Sequence, residues 1–555
     1  MDFFYNLFKD FLNASFIFIV VFWVFWLIYQ KRKINFWIWL WQLKEYRRDR
    51  MKAHFDQESS KKIFFNKIYL LKIFLLLTFS SFIFLNNQNN TVFFFASGIY
   101  FLLILGSLVF GPAKVKKPVQ TKKAKIIYFL SLFLFFILFP LCFFGPKTIF
   151  NQLCFVVFSI ADIILPLAIT LFLGIITPII DFKKNLIFKQ AKEKIKAQKD
   201  NLLVIGVTGS YGKTSVKEFL TELLSLKFKV LKTEANNNTE IGIAKTIIEK
   251  LDKSHEIFIV EMAAYKKGEI KRICNMVFPT IGIITGIGNQ HFRLFGSQEN
   301  IINAKYELIE SLPDKGLAVF NGDSNFFIDI FKKTKKPKKF YSIQNYQADV
   351  FAKDIREFKD RVEFEISDKK EKQEFKVNLL GTQAVSNVLG ACLVAKELGI
   401  SFSEMKNVVN SFRAFPKTME VKSGINGIVI VDDSYSGNSE GVISALDYLK
   451  NYQDGKKIIV FYPLIELGSL ARDVHKKIGK KIAEICDFCI LVNNDFSREI
   501  KEGAIGFGMD SKKIRIIENP GEVIKQIKDF ARKGDVILLE NRVSSEIIKI
   551  LTEKK

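Results

Sequence analysis

The chain has 555 residues, a net charge of +25 at pH 7 and a hydrophobic content of 49%. That length allows three or four domains, and six scattered Cys give no disulfide framework in a cytoplasmic context. The excess charge would suit nucleic acid, but much of it lies on loops beside apolar runs, so no nucleic-acid partner is expected and anionic lipid is the nearer one.

Residues 1–182 read as a transmembrane α-helical bundle of about five spans. Apolar runs recur at Ser15 to Tyr29, Ile68 to Leu85, Val92 to Phe110, Ile126 to Phe144 and Leu153 to Ile180. Each is near or above the length that crosses a hydrocarbon core of about 30 Å. Lys31 to Lys62 holds ten Lys or Arg against four acids, and Lys114 to Lys125 holds six Lys and no acid. The positive-inside rule then puts the basic loops in the cytoplasm, the N-terminus outside and everything after Ile180 inside. The expected location is a multi-pass cell-membrane protein with cytoplasmic catalytic domains. The start Met1-Asp2-Phe3-Phe4 lacks a basic n-region, which argues against a cleavable signal peptide. Trp37, Trp39 and Trp41 read as an interfacial segment. Asp162 is the one acid well inside a span; it could touch a polar lipid headgroup, but hydrogen bonding to backbone loosened by Pro166 is the favoured reading.

Residues 183–200 form a Lys-rich amphipathic linker, read as a helix. A strand-like stretch, Leu202 to Val207, then leads into Thr208-Gly209-Ser210-Tyr211-Gly212-Lys213-Thr214-Ser215 and a helix-like stretch, Val216 to Leu226. This is a short variant of the phosphate loop, with Val207 where the common pattern has its first Gly. Small residues let backbone N–H groups approach phosphate oxygens, Lys213 supplies a cation, and the Thr214 hydroxyl can ligate Mg2+. The spacing therefore points to ATP.

Strand-like runs at Ile257 to Val260, Ile281 to Thr285 and Leu317 to Phe320 alternate with helical ones, which predicts a largely parallel sheet covered by helices. Period-two alternation between Ala348 and Leu380 predicts an antiparallel insertion, and α/β alternation resumes from about Phe412. Residues 201–411 and 412–555 are expected to be a central ATP-binding domain and a C-terminal α/β domain. Glu261 ends a strand, where ligands gather in α/β sheets. His291 follows a Gly-rich turn, and Lys305 lies fourteen residues on in a helix-like stretch. Cys486 and Cys489 have redox or zinc spacing but sit in an apolar run, so core packing is the favoured reading.

These residues resemble the Mur ligases. The resemblance rests on Thr208 to Ser215, Thr233 to Gly242, Glu261, Gly288 to His291, Ala304 to Leu308, Asn321-Gly322-Asp323, Gly381 to Asn387, Asp432 to Asn438, Glu466-Leu467-Gly468 and His475. It covers about residues 200 to 545 and nothing before Phe182. It implies a central phosphate-loop domain and a Rossmann-like C-terminal one. It also implies ATP-dependent, ADP-forming amide ligation through an acyl phosphate, of the type that adds D-Ala-D-Ala in peptidoglycan synthesis. The implied partners are a cell-wall precursor carboxylate and an amino acid or dipeptide amine; the membrane half adds the expectation that the precursor is presented at the membrane on a lipid carrier.

By position, the resemblance gives Lys213, Glu261, His291 and Lys305 catalytic roles. Thr208, Gly209, Ser210, Gly212, Lys213, Thr214, Ser215, Asn387, Asp432 and Tyr435 would bind ATP. Mg2+ would be held by Thr214, Glu261, His291 and Lys305, the last as a carbamylated lysine. The chain departs from the family at Gln383 in place of a His, at Lys417-Thr418-Met419 in place of Gly-Arg and an apolar residue, and at Glu540-Asn541-Arg542-Val543 in place of Lys-Gly-Ser-Arg. Two other functions are compatible with the same residues: coupling of another amino acid or peptide to a different carboxylated precursor, and an ATPase that energises a transporter.

Overall fold

The computed structural model describes residues 14–55, 67–84, 90–109, 117–138, 150–234, 237–435 and 437–552. The chain divides into two compact units, Met1–Lys183 and Lys184–Lys555.

In the first unit, helices Ala14–Leu43, Lys67–Phe84, Asn90–Val109, Lys122–Leu138 and Phe150–Lys196 fall on the five apolar runs, and Arg48–Phe55 adds a short one. Their shared core is aromatic: Phe22, Trp26, Phe79, Tyr100, Phe155 and Phe158 are at most 2% exposed. The outward faces carry Leu70, Phe74, Phe129, Phe133, Leu167 and Leu171, each about three-fifths exposed. These helices are thus apolar on both their inward and their outward faces. Among the described residues, one helix, over Leu153–Lys196, is long and apolar enough to cross a membrane; Phe95–Val109 is shorter. The linker expected at 183–200 continues that same helix as far as Lys196.

Asp162 corrects the reading of its role. Its carboxylate does not turn to backbone near Pro166; it accepts from Lys72 Nζ at 2.7 Å, Gln30 Nε2 at 3.1 Å and Tyr100 Oη at 3.2 Å, and it also pairs with Lys33. Lys33 Nζ reaches the Asp162 carbonyl as well, at 2.7 Å. Four helices thus meet on one buried carboxylate, as a buried charge requires.

The second unit is built on two sheets. The first contains β1 (Leu203–Thr208), β2 (Val230–Lys232), β3 (Ile257–Glu261), β4 (Ile281–Ile284), β5 (Leu317–Asn321), β6 (Lys338–Ser342), β7 (Val350–Glu357), β8 (Val362–Ser367) and β9 (Lys372–Val377), in the order β2-β3-β1-β4-β5-β6-β7-β8-β9. Pairing is parallel through β7 and antiparallel from β7 to β9. The period-two segment therefore extends the same sheet. β1 and β3 read as unbroken apolar runs because they are covered on both faces. In the helix Lys213–Leu224, Val216, Phe219, Leu220, Leu223 and Leu224 share one buried stripe. Each such side chain contributes about 2 kcal/mol by leaving water, and Phe219 stacks on Phe412 at 4.3 Å.

The second sheet contains β10 (Glu420–Ser423), β11 (Val429–Asp433), β12 (Lys457–Phe461), β13 (Phe488–Leu491), β14 (Ile514–Ile516) and β15 (Val536–Glu540), in the order β10-β11-β15-β12-β13-β14, parallel except for β10. Cys486 and Cys489 are buried free thiols, Cys489 within β13. Burial pushes the thiol of Cys489 up to about 12, which leaves it inert core packing.

Candidate active site

The loop between β1 and the helix Lys213–Leu224 is held by its own short side chains. Thr208 Oγ1 donates to the Met262 carbonyl at 2.9 Å; Ser210 N donates to the Gly286 carbonyl at 2.8 Å. Gly212 has φ 76°, and a Cβ there would fall 2.4 Å from Asn387 Oδ1. Only glycine satisfies both the backbone and the approach. Asn387 is 7% exposed, and its Oδ1 is buried without a hydrogen-bond partner beside the loop. Ser215 lies in the first turn of the helix, behind Lys213 and Thr214.

Glu261, 3% exposed at the C-terminal tip of β3, faces the helix start. Thr214 Oγ1 lies 3.2 and 3.1 Å from its two carboxylate oxygens, Asn238 Nδ2 donates to Oε1 at 3.0 Å, and Lys217 Nζ lies 3.3 Å from Oε2. Lys213 Nζ donates to the Gly209 carbonyl at 2.7 Å; burial lowers its pKa, and Glu261 opposes that shift.

Lys305 lies on the helix Gln298–Glu310, capped by Ser297, whose hydroxyl accepts from Asn300 N at 3.1 Å. Its side chain is buried, its Nζ stands 5.9 Å from the centre of the Phe295 ring, and no carboxylate pairs with it among the described residues. Burial first, then the charge of Lys213, push it down to about 7. A neutral amine at physiological pH is thereby within reach. His291 Nδ1 meets Glu466 Oε2 at 2.6 Å, and its ring packs edge-on against Tyr265 at 4.7 Å. Burial lowers the His291 pKa against the pull of Glu466. A neutral ring donating Nδ1–H to Glu466 leaves Nε2 as the acceptor.

The C-terminal residues are placed less uniformly. Asp432 is fully buried and committed to Lys422 Nζ and Ser434 Oγ, each at 2.6 Å. Tyr435 is half exposed, and its phenol is pushed up by burial and by the charge of Glu261. His475 is a core histidine: Nε2 accepts from Leu464 N at 3.0 Å and Nδ1 meets the Ala471 carbonyl at 2.6 Å. Lys217 and the His291–Glu466 pair were not assigned from sequence. A lysine four residues past Lys213 reads as one more solvated helix cation, and nothing local places Glu466 beside a histidine 175 residues earlier. A small cleft of about 30 Å3 is lined by His291, Glu466, Gly437, Asn438, Asn541 and Arg542.

Residues 207–395 match the Mur ligase middle domain, and residues 419–540 match the Mur ligase, glutamate ligase domain. The chain belongs to the Mur ligase family. Mur ligases are ATP-dependent, ADP-forming ligases, and this chain falls in that enzyme class. It is 27% identical over 354 residues to the UDP-N-acetylmuramoyl-tripeptide--D-alanyl-D-alanine ligase of Bacillus subtilis, covering 63% of this chain and 76% of that one. The Synechocystis enzyme of the same name is 28% identical over 62% of this chain and 72% of its own. Among solved structures, MurF ligase from Thermotoga maritima in complex with ADP is 25% identical with a TM-score of 0.59, covering 66% of this Mur ligase and 83% of that chain. MurF from Acinetobacter baumannii shares the fold at 23% identity and a TM-score of 0.61, over 67% and 81%.

Proposed function

We propose that this Mur ligase joins a D-Ala-D-Ala-type amine to the carboxylate of a cell-wall precursor at the cytoplasmic face of a membrane that its first unit crosses with five helices. The observation that carries the ligase reading is the convergence of Thr214, Asn238 and Lys217 on Glu261 at the mouth of the phosphate loop, with Lys213 and Lys305 as further cations. The five helices on apolar runs, their apolar outer faces and the charge asymmetry of the loops support the membrane part. The multi-pass topology then puts the N-terminus outside. A lipid-linked precursor, presented where the first unit is inserted, fits that placement.

In the proposed reaction, the precursor carboxylate attacks the γ-phosphorus of ATP and ADP leaves, giving an acyl phosphate. The amine then attacks the acyl carbon, inorganic phosphate leaves, and the nitrogen loses its proton. Backbone N–H groups of Gly209 to Thr214 and the Lys213 ammonium hold the phosphates and neutralise charge that builds in transfer. Asn387 Oδ1 has an open valence beside Gly212 for a nucleotide donor. Glu261 and the Thr214 hydroxyl form a hard-oxygen pair that would hold Mg2+. Mg2+ held there would neutralise charge that builds during phosphoryl transfer. His291 contributes through Nε2 while Glu466 fixes its ring. Lys305, buried and near neutrality, has the amine that reaction with CO2 requires, and its carbamate would add a carboxylate to the site. Tyr435 would contact the nucleotide from the C-terminal domain.

The test is ADP release by the full-length chain with a UDP-linked or lipid-linked muramoyl-tripeptide and a panel of amines. The reading requires ADP only when both carboxylate and amine are present. Equal rates with UDP-linked and lipid-linked precursor would remove the lipid-presentation part and leave the ligase.

A further inference from the structure

Two lysines of the first unit share a single carboxylate. Lys72 Nζ donates to Asp162 Oδ2 and to Tyr29 Oη, each at 2.7 Å; Lys33 Nζ pairs with the other carboxylate oxygen and donates to the Asp162 carbonyl at 2.7 Å. Arg32, next along the chain, gives one N–H to the Leu108 carbonyl at 2.7 Å and has no carboxylate partner among the described residues. Glu45 and Asp49 are spent elsewhere, on Arg50 at 2.6 Å and on Arg47 at 2.7 Å. Three cations thus stand against one carboxylate, and the cluster keeps an excess of positive charge. Lys72 and Asp162 are buried, whereas the Lys33 side chain is 18% exposed and Arg32 is half-buried.

The excess sits at a definite depth. The helix Asn90–Val109 has 20 residues, about 30 Å of axis and so about the thickness of a hydrocarbon core. Arg32 grips the carbonyl of its penultimate residue, and Lys72 lies in the second turn of the helix Lys67–Phe84. Under the five-span topology both of those helix ends face the cytoplasm. The cluster therefore stands where hydrocarbon gives way to the headgroups of the inner leaflet, and Trp37, Trp39 and Trp41 follow on the same helix as Arg32, in the place of an interfacial belt. Net positive charge at that depth is costly unless an anion answers it. A guanidinium beside an ammonium offers phosphate oxygens charge-assisted donors.

We propose that Arg32 and Lys33, backed by Lys72 and Asp162, bind the phosphate headgroup of an inner-leaflet lipid. The inference rests on the membrane placement in the function proposed above. The site is built into the helices rather than the basic loops, with Asp162 orienting the lysines without neutralising them. Two lipids carry that headgroup chemistry: a bulk anionic phospholipid and the diphosphate of a polyprenyl carrier.

The experiment follows thermal unfolding of the full-length chain in phosphatidylcholine nanodiscs doped with rising fractions of phosphatidylglycerol or of a polyprenyl diphosphate. It reads the fraction that gives half the maximal rise in melting temperature. Wild type should rise with at least one dopant. Arg32→Gln and Lys33→Gln should each move the half-point up about fivefold, and together about 25-fold, the worth of a cation at a charged surface. Lys33→Gln leaves Lys72 and Asp162 as a one-to-one pair, and Lys33→Arg should respond like wild type. Lys122→Gln, which removes an exposed cation at the start of the helix Lys122–Leu138, controls for net charge and should leave the half-point in place. A lower half-point for the diphosphate makes the carrier the ligand, and an equal or higher one makes it bulk phospholipid. No rise with either lipid, a half-point that the paired Arg32→Gln and Lys33→Gln changes leave unmoved, or a shift that Lys122→Gln reproduces overturns the inference while leaving the ligase and membrane readings standing. A chain that nanodiscs of no composition take up overturns the membrane reading and the inference with it.

Discussion

The two domains of the ligase unit treat buried charge in opposite ways. Around the phosphate loop, cations and carboxylates are interleaved: Lys217 Nζ lies 3.0 Å from Glu218 and 3.3 Å from Glu261, Glu269 and Glu307 act on Lys305, and Lys213 donates to a backbone carbonyl. In the C-terminal sheet, half-buried Asp433 and fully buried Glu540 stand in register on neighbouring strands, and neither Glu540 oxygen has a hydrogen-bond partner among the described residues. Burial pushes both carboxyls up, helped by the charge of Asp433 at Glu540 and of Asp432 at Asp433, which reaches about 7. The first arrangement sets carboxylate beside cation. The second is completed by a proton, so it answers to pH.

The sharpest way to break this contrast is to remove a cation from the phosphate side. Lys213→Ala should lower kcat/KM for ligation by about 10^3-fold or more, since it deletes charge stabilisation of a transferring phosphoryl group; steady-state kinetics with ATP varied would measure it. Lys305→Ala should also abolish ligation and recover in part with added small carboxylates if a carbamate is the working form. Absence of recovery would leave Lys305 as a plain cation. Lys305 has a stability signature too. Its folded pKa lies below its unfolded value, so the unfolded chain binds more protons between about pH 7 and pH 10. Stability should rise with pH across that window, and Lys305→Met should flatten the rise in denaturant titrations.

In the first unit, Asp162→Asn strips the counter-charge from Lys33 and Lys72. The expected loss is about 3–5 kcal/mol, read as lower thermal stability of the full-length chain. The smallest effect belongs to Glu540→Gln. Raised carboxyl pKa values mean the folded chain binds more protons than the unfolded one from about pH 4 up to about pH 7, so stability is fully present in acid and falls as pH rises through that range. Glu540→Gln should remove part of that fall and raise the melting temperature at pH 8 by a few degrees, with little change at pH 5.

These contrasts also mark how far the sequence could be read. Thr208 to Ser215 is legible because the loop's chemistry is local: the glycines, the lysine and the hydroxyl are consecutive. The position of Glu261 is legible because an apolar run that ends in an acid marks a strand tip. Asp162 was visible as an intramembrane acid, but its partners come from three other helices, and nothing in one helix names its neighbours. The same holds for Glu466 beside His291. Asp432 resembles a cleft residue by motif, yet antiparallel pairing of β10 with β11 brings Lys422 against it. The strand-to-helix alternation indicated two α/β regions, whereas the joining of the antiparallel segment to the first sheet depended on the pairing of β6 with β7, which is a tertiary choice.

The measurement that tests the account most directly is the dependence of ADP release on the amine, made on the full-length chain with ATP and a muramoyl-tripeptide precursor saturating. The account predicts one ADP per amide bond formed and no sustained release when the amine is withheld. Sustained ATP turnover without amine, or without amide product, would contradict it and make the phosphate loop the motor of some other machine.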